Sequence, residues 1–341
     1  MFQRTFDVIT IGGATRDIMF FSPAGRVVSD TSQSGKSKLI GFKYGAKILA
    51  KEIHFLLGGG GSNSAVAFAR LGLRVAAFLR VGQDRDGDAI LADLVGERVA
   101  TKFVERDQRL RTGFSFLAIQ EPTMEHIAYL YRGANDAMVM TQAELKRAQA
   151  KWLYVASLGE ERWPTTSANL IAYLRTHPKV QLAWNPGENQ LAKGRRGLAG
   201  LMKHTTVFNV NRDEATQLVA ADGYPAPGQS VGQMLKIIRS WGPRIVLITC
   251  GRKGSYAFDG RKRYFEPIKP FPVKDTTGAG DAFGSTFVAG LQIYRNDIGK
   301  ALRMATINSG SGVSQIGAQP GLLRRAKLLE LAKKYYGKTW Q

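Results

Sequence analysis

Residues 275–281 read Asp275-Thr276-Thr277-Gly278-Ala279-Gly280-Asp281 and run directly into an apolar stretch, 282–291. If a helix begins at Ala279, the backbone N–H groups of Gly278, Ala279 and Gly280 lie uncovered at the positive end of its dipole and form an anion hole. Asp281 then places a carboxylate in the first turn. The dipole favours that charge, but a phosphate bound alongside would be repelled by it. Proton abstraction from an attacking hydroxyl is the role that offsets this cost; a plain helix entry with an ordinary first-turn Asp is the alternative. A second segment, Leu57-Gly58-Gly59-Gly60-Gly61-Ser62-Asn63-Ser64, combines glycines that let the backbone approach a ligand with an Asn63 amide suited to hydroxyls. The same run partly fits a dinucleotide-binding turn followed by Asp84, although its third glycine would be Ser62 or Ser64. Asp17, in Ile11-Gly12-Gly13-Ala14-Thr15-Arg16-Asp17, is expected just beyond the first strand at the ligand-binding edge of a parallel sheet, or as a turn residue. Asn211 and Glu214 follow another strand, three apart on one helical face. They suit Mg²⁺ held through water, or a simple helix cap.

Other signals are weaker. Ser34-Gly35-Lys36-Ser37 imitates the end of a phosphate-binding Walker loop, but Asp30 stands where that loop requires glycine. The four histidines, 54, 126, 177 and 204, lack ligand spacing, which argues against a zinc site or a Ser-His-Asp hydrolase.

The elements that must position these residues alternate. Strands are expected at 7–12, 74–81, 152–156, 180–184, 206–209 and 245–249. Helices are expected at 64–71 (ended by Gly72), 86–99, 165–175, 213–220 and 231–241, with a capping box at Thr141-Gln142-Ala143-Glu144 opening another. This predicts an α/β fold with a mostly parallel sheet covered by helices. Two segments break the alternation: 20–57, long and rich in Gly, Ser and Lys, and 112–131, which alternates like strands around a turn at 120–124. They are expected to pair as a small sheet outside the main fold, as lids do.

The chain has 341 residues, 44% apolar and 22% charged, which suits a globular protein with one large domain or two medium ones. No run of apolar residues is long enough for a membrane span, and the N-terminus lacks the features of a signal peptide. The single Cys250 lies beside an apolar run and reads as a buried small hydrophobe. A cytoplasmic location is expected. The net charge of +21 is spread over small groups, such as Arg261-Lys262-Arg263 and Arg324-Arg325. With no accompanying stacking module, this argues against direct nucleic-acid function.

Together these motifs resemble the ribokinase-like family of sugar and nucleoside kinases, the PfkB-type carbohydrate kinases, from about residue 7 to 335. Residues 275–281 carry the resemblance most specifically. The segment Gly58 to Asn63, followed by 65–72 and Val81-Gly82-Gln83-Asp84, is nearly as specific. The resemblance implies one domain over 1–341, a three-layer sandwich with a central mostly parallel sheet, and a β-lid from about 18–57 and 110–132. It implies transfer of the ATP γ-phosphate to an alcohol, with Asp281 as catalytic base and Gly278, Ala279 and Gly280 as anion hole. Asp17, Gly59 and Asn63 resemble residues that hold sugar hydroxyls. Asn211 and Glu214 match a motif near Mg²⁺. Thr249, Gly251 and Gly254 match the loop beside the nucleotide, and Asn308 falls near the adenine. Asp275 and Thr277 fall where some members bind a monovalent cation such as K⁺. The lid also implies a homodimer interface, as in many relatives. Departures from ribokinases proper are Thr15 for Asn, Gly60 for Lys, and Gly321 where cation-binding members often carry a hydroxyl. These leave the acceptor open between sugar, sugar phosphate and nucleoside; for a nucleoside, Phe114, Phe116 and Tyr129 are available to stack on a base. A catalytically silent relative that binds nucleotide or nucleic acid is a further reading, against which Asp281 stands.

Overall fold

The computed structural model describes residues 5–30, 37–121, 125–225 and 228–340. The chain begins with β1 (Phe6–Ile11), whose buried Val8, Ile9 and Ile11 suit a strand covered on both faces. After Gly12 and Gly13 it re-enters extended structure as β2 (Thr15–Ser22), then β3 (Arg26–Asp30), β4 (Ser37–Gly41) and β5 (Glu52–Gly58). Helix α1 (Gly60–Arg70) leads to β6 (Val75–Gly82), α2 (Arg85–Gly96) and β7 (Ala100–Asp107). The hairpin β8 (Gly113–Gln120) and β9 (Glu125–Tyr131) precedes a 3₁₀ turn at Gly133–Ala137. Next come α3 (Gln142–Arg147), β10 (Ala150–Val155), α4 (Trp163–Thr176), β11 (Gln181–Trp184), α5 (Glu188–Leu191) and α6 (Gly194–Met202). They are followed by β12 (Val207–Asn211), α7 (Arg212–Ala221), α8 (Val231–Ser240), β13 (Ile245–Thr249), β14 (Ser255–Phe258) and β15 (Arg263–Glu266). The chain ends with α9 (Ala279–Ile293), α10 (Ile298–Gly312) and α11 (Arg325–Tyr336).

Nine strands form the central sheet in the order β15-β14-β13-β12-β11-β10-β1-β6-β7. It is parallel from β13 to β7, while β14 and β15 turn back antiparallel at one edge. Each face carries its own core. One packs α1, α2, α9, α10 and α11 around Phe68, Leu79 and Phe287; the other packs α3 to α8 around Phe78, Trp184 and Phe208. This is the three-layer α/β architecture expected. Helix α9 is its innermost helix: residues 282–291 are all buried. Gly290 lets α10 come so close that a Cβ there would stand 2.6 Å from Ala301 Cα.

A four-stranded sheet, β5-β2-β8-β9, stands apart from the main sheet, and β3 pairs with β4 as a separate hairpin. The expected small sheet is present, but it starts at Thr15. Asp17 therefore lies within β2, opposite Leu56 and Ser115, and not at the edge of the parallel sheet. The reason is the brevity of the Gly12–Ala14 link, which returns the chain to extended structure at once. The Walker-like residues 34–36 and the turn residues 122–124 lie outside the described residues. Among those described, no helix is long and apolar enough to cross a membrane.

Helix α1 also begins earlier than expected, within the glycine run. Gly59, at φ 91°, is its N-cap. The N–H groups of Gly61 and Ser62 donate to Gly13 O at 2.9 and 3.3 Å. Close packing outweighs the poor helix propensity of glycine here. A Cβ on Gly61 would meet Leu79 Cδ2 at 2.6 Å and the Gly12 backbone at 2.7–2.8 Å. Gly61→Ala should therefore lower stability by about 1–3 kcal/mol, the cost of overpacking against atoms that cannot retreat. The urea midpoint of unfolding measures this, and an unchanged midpoint would contradict the close crossing.

Candidate functional site

The start of α9 meets the start of α1. Gly278 caps α9 in the left-handed region at φ 72°. A side chain there is also excluded by space, since a Cβ would lie 2.4 Å from Ala318 Cβ. Of the expected anion-binding N–H groups, that of Ala279 is taken by Thr276 O at 3.2 Å. For Gly278, Gly280 and Asp281 no backbone acceptor exists among the described residues. These donors point out of the helix end, where its dipole is positive.

Asp281 lies in the first turn of α9. Its Oδ2 accepts from Asn63 Nδ2 at 2.9 Å. Gly60 brings the α1 backbone close beside it; a Cβ there would stand 3.1 Å from Asp281 Oδ1. Burial pushes the Asp281 carboxyl above the usual carboxylate range, and the Asn63 hydrogen bond opposes this. Burial, with the Asp281 charge, also drives the Tyr154 hydroxyl far up, so it stays protonated. Asn63 is itself held from behind: its Oδ1 accepts from Gln319 Nε2 at 3.2 Å. The backbone carbonyl of Gln319 in turn accepts from Arg70 Nη1 at 2.7 Å. Sequence reasoning did not single out Gln319, because its partner is 256 residues away and no local pattern marks it.

Asp17 flanks the same turn from the small sheet. Its Oδ1 accepts from Ser115 Oγ, and its Oδ2 lies over Gly58 so closely that no Cβ fits. Burial raises its carboxyl, with Asp275 adding to the shift and Ser115 and Thr15 opposing it. Gly59 and Gly60 line a cavity of about 160 Å³ between the two sheets, together with Thr15, Phe114, Arg132 and Asn135. Of the three lid aromatics, only Phe114 lines it. Phe116 is in a row with Phe20 and Tyr129, at 4.9 and 6.0 Å between ring centres. A larger hollow of about 780 Å³ opens at the opposite ends of the strands, beside Asp7, Lys151 and Arg244. None of the motif residues lines it.

A second group gathers at the ends of β12 and β13, where Asn211 is in register with Thr249. Asn211 and Glu214 form a reciprocal cap on α7: Asn211 N donates to Glu214 Oε2 at 2.8 Å, and Glu214 N to Asn211 Oδ1 at 2.9 Å. Burial, followed by the charges of Asp213 and Glu188, raises the Glu214 carboxyl. Among the described residues no three acidic, His or Cys groups converge to hold a metal ion directly. That donor set fits an ion held through water, not one stripped of it. Gly251 and Gly254, at φ 51° and 89°, shape the loop between β13 and β14. Asn185, at the end of β11, also faces the start of α9: a Cβ on Gly280 would lie 3.8 Å from its Oδ1.

Two expected roles meet different geometry. Asn308 is fully buried; its Nδ2 donates to Thr286 Oγ1 at 2.7 Å and its Oδ1 accepts from Leu323 N at 2.8 Å. It ties α9 and α10 to the segment before α11 and presents no atom to a ligand. Asp275 accepts from Thr277 N and Oγ1 at 2.9 and 2.7 Å and from Gly317 N at 2.8 Å. Asp275 and Thr277 thus staple two loops together. Gly321 beyond them is required by packing, because a Cβ would stand 2.4 Å from Ser311 O.

The model of the pfkB family carbohydrate kinases matches residues 33–324. The ribokinase of Bacillus subtilis (strain 168) is 28% identical over 289 residues, covering 85% of this chain and 92% of that protein. In three dimensions the chain resembles Arabidopsis thaliana ribokinase complexed with ribose and ATP, with a TM-score of 0.77 at 23% identity over 97% of this chain and 99% of the other. It resembles a Burkholderia thailandensis nucleoside kinase in complex with inosine to a similar degree, with a TM-score of 0.76 at 16% identity over the same shares.

The Gln319–Asn63–Asp281 chain makes its own prediction. The Gln319 donor fixes which way the Asn63 amide faces, and so presents Nδ2 to the Asp281 carboxylate. Gln319→Met keeps the shape and removes the donor. The Asp281 carboxyl should then titrate at higher pH, since the bond that favours its ionised form is weakened. Carbon-13 NMR of labelled aspartate follows this, and an unmoved titration would show that Gln319 only fills space.

Proposed function

Because the chain belongs to the pfkB family of carbohydrate kinases, we propose that it transfers the γ-phosphate of ATP to a hydroxyl of a sugar or sugar-like small molecule, with Asp281 as general base. The observation that carries this reading is a carboxylate hydrogen-bonded to Asn63 at 2.9 Å in the first turn of a helix whose Gly278 and Gly280 N–H groups have no backbone acceptor among the described residues. The acceptor hydroxyl would approach Asp281 between Asn63 and Asp17. As its oxygen bonds to the γ-phosphorus, its proton passes to Asp281 and the bond to the β-phosphate oxygen breaks, releasing ADP. The N–H groups of Gly278 and Gly280 would stabilise charge gathering on the phosphoryl oxygens. Asn211 and Glu214 would hold Mg²⁺ through water, which when bound supplies neutralising charge to the triphosphate. Thr249, Gly251 and Gly254 would flank the nucleotide.

The small sheet would close over the acceptor and exclude water. It leaves Ile53, Phe55, Tyr129 and Leu130 exposed, which supports pairing with a second copy through the lid. The nucleoside reading is weaker, because Phe116 and Tyr129 pack on one another and not on the cavity.

Asp281→Asn keeps the shape of the carboxylate and its bond from Asn63, and should lower turnover by about 10²–10⁴-fold while ATP affinity changes only a few fold. Near-normal turnover in a coupled ADP-release assay would remove the base assignment. The raised carboxyl predicts that wild-type turnover falls, as pH drops, at a value above the ordinary 3.8 of aspartate. The same shift sets the sign for stability. The protonated form favours folding fully below 3.8, and this contribution is lost as pH rises through the folded value. At neutral pH the variant should melt no lower than the wild type.

Turnover should depend weakly or not at all on a monovalent cation, because Asp275 already accepts three hydrogen bonds and Gly321 has no room for a side-chain ligand. Initial rates with K⁺ replaced by a bulky organic cation at constant ionic strength check this. A large fall, restored by K⁺, would show that backbone oxygens suffice for a working site.

A further inference from the structure

The cavity beside Gly59 and Gly60 is largely apolar, walled by Phe114, Leu130 and Leu158, with Thr15, Asn135 and Ser157 as neutral polar side chains. Arg132 is the one ionised side chain in its lining. It is partly buried, and among the described residues its guanidinium has no hydrogen bond, ring contact or carboxylate within 4 Å. Asp136 acts on it by charge, but burial and the charge of Glu161 raise the Asp136 carboxyl. Other partly buried arginines here are treated differently. Arg70 is bonded to Glu97, and Arg80 to both Glu105 and Asp107.

The backbone at Arg132 is fixed by its neighbours. It precedes Gly133, which is held at φ 52° against Arg111 O. Ala134 N donates to Arg111 O at 2.8 Å. Asn135 clamps Ala14 through two bonds, accepting from its N at 3.0 Å and donating to its O at 2.9 Å. A partly buried guanidinium on a fixed backbone, with no hydrogen-bonded partner among the described residues, is a fork-shaped receptor for a planar or tetrahedral anion. Asp281 lies beside Gly60 and Asp17 beside Gly58, so their charge disfavours an anion at that end and leaves Arg132 to receive it.

We propose that the acceptor is an anionic polyol, bearing a carboxylate or a phosphate at the end remote from the reacting hydroxyl, and that Arg132 selects it. This rests on the kinase reading above. The test uses the full chain with MgATP in an ADP-release assay. The acceptors are a neutral sugar (ribose or fructose), sugar acids (gluconate and its 2-keto-3-deoxy derivative) and a sugar phosphate (fructose 6-phosphate). A carboxylate or phosphate acceptor should exceed the neutral sugars by about 100-fold in kcat/KM, the scale of losing a charged partner in a dry site. The arm that responds identifies the anion. Arg132→Gln should erase the preference mainly by raising KM for that acceptor, with little change in KM for ATP. Arg132→Lys, which keeps the charge without the fork, should retain part of it. A neutral sugar preferred by the wild type, or equal losses on all acceptors in both variants, would overturn the assignment while leaving the kinase reading intact. No ADP release with any acceptor would overturn both.

Discussion

The hydrogen bond between Asn63 and Asp281 joins residues 218 apart in the chain, and much of the architecture serves to hold its two ends. One end is on α1, which can start where it does only because Gly12, Gly59 and Gly61 allow backbone to lie on backbone. The other end is on α9, anchored by ten consecutive buried residues in the middle of one core. An ionised carboxylate in such a setting is costly unless its partners are fixed beforehand. Gln319 supplies that fixing for Asn63, and Arg70 for the segment that carries Gln319. The site is therefore held in place from the side of the main sheet.

The parts of the site that could be read from the sequence are those built by neighbours in the chain. Gly278 to Asp281 are contiguous, and the physics of a helix N-terminus is local. The reciprocal caps at Thr141 and Asn211 are likewise three-residue patterns. Gln319 and Asn308 could not be read this way, because their partners are distant and their types are unremarkable. Asn308 in fact turned out to tie helices together. Asp17 was misplaced in the fold, since two glycines and an alanine do not reveal whether a chain turns or continues into a new strand.

The fold was legible where the hydrophobic pattern was strong. The central strands β1, β10 and β13 are buried on both faces and stand out as apolar runs. The antiparallel hairpin β14–β15 did not stand out. Its strands have four residues each and carry Arg263 and Glu266 among aromatics, so their alternation is too short to separate from a loop. Membership of the pfkB family accounts for the order of the motifs but does not choose among acceptors. That choice depends on the few side chains between the sheets.

The two edges of the central sheet have a bearing on how the protein behaves in a crowded solution. Strands β15 and β7 each leave one row of backbone groups unpaired, and such rows can template the edge of another molecule. Arg263 opens β15, just after Arg261 and Lys262, while β7 carries Lys102 and Arg106 together with Glu105 and Asp107. Two copies meeting along β15 would bring the cations at 261–263 close together, which opposes pairing. Part of the +21 charge thus works against self-association along the β15 edge, and high salt, by screening it, would weaken that effect.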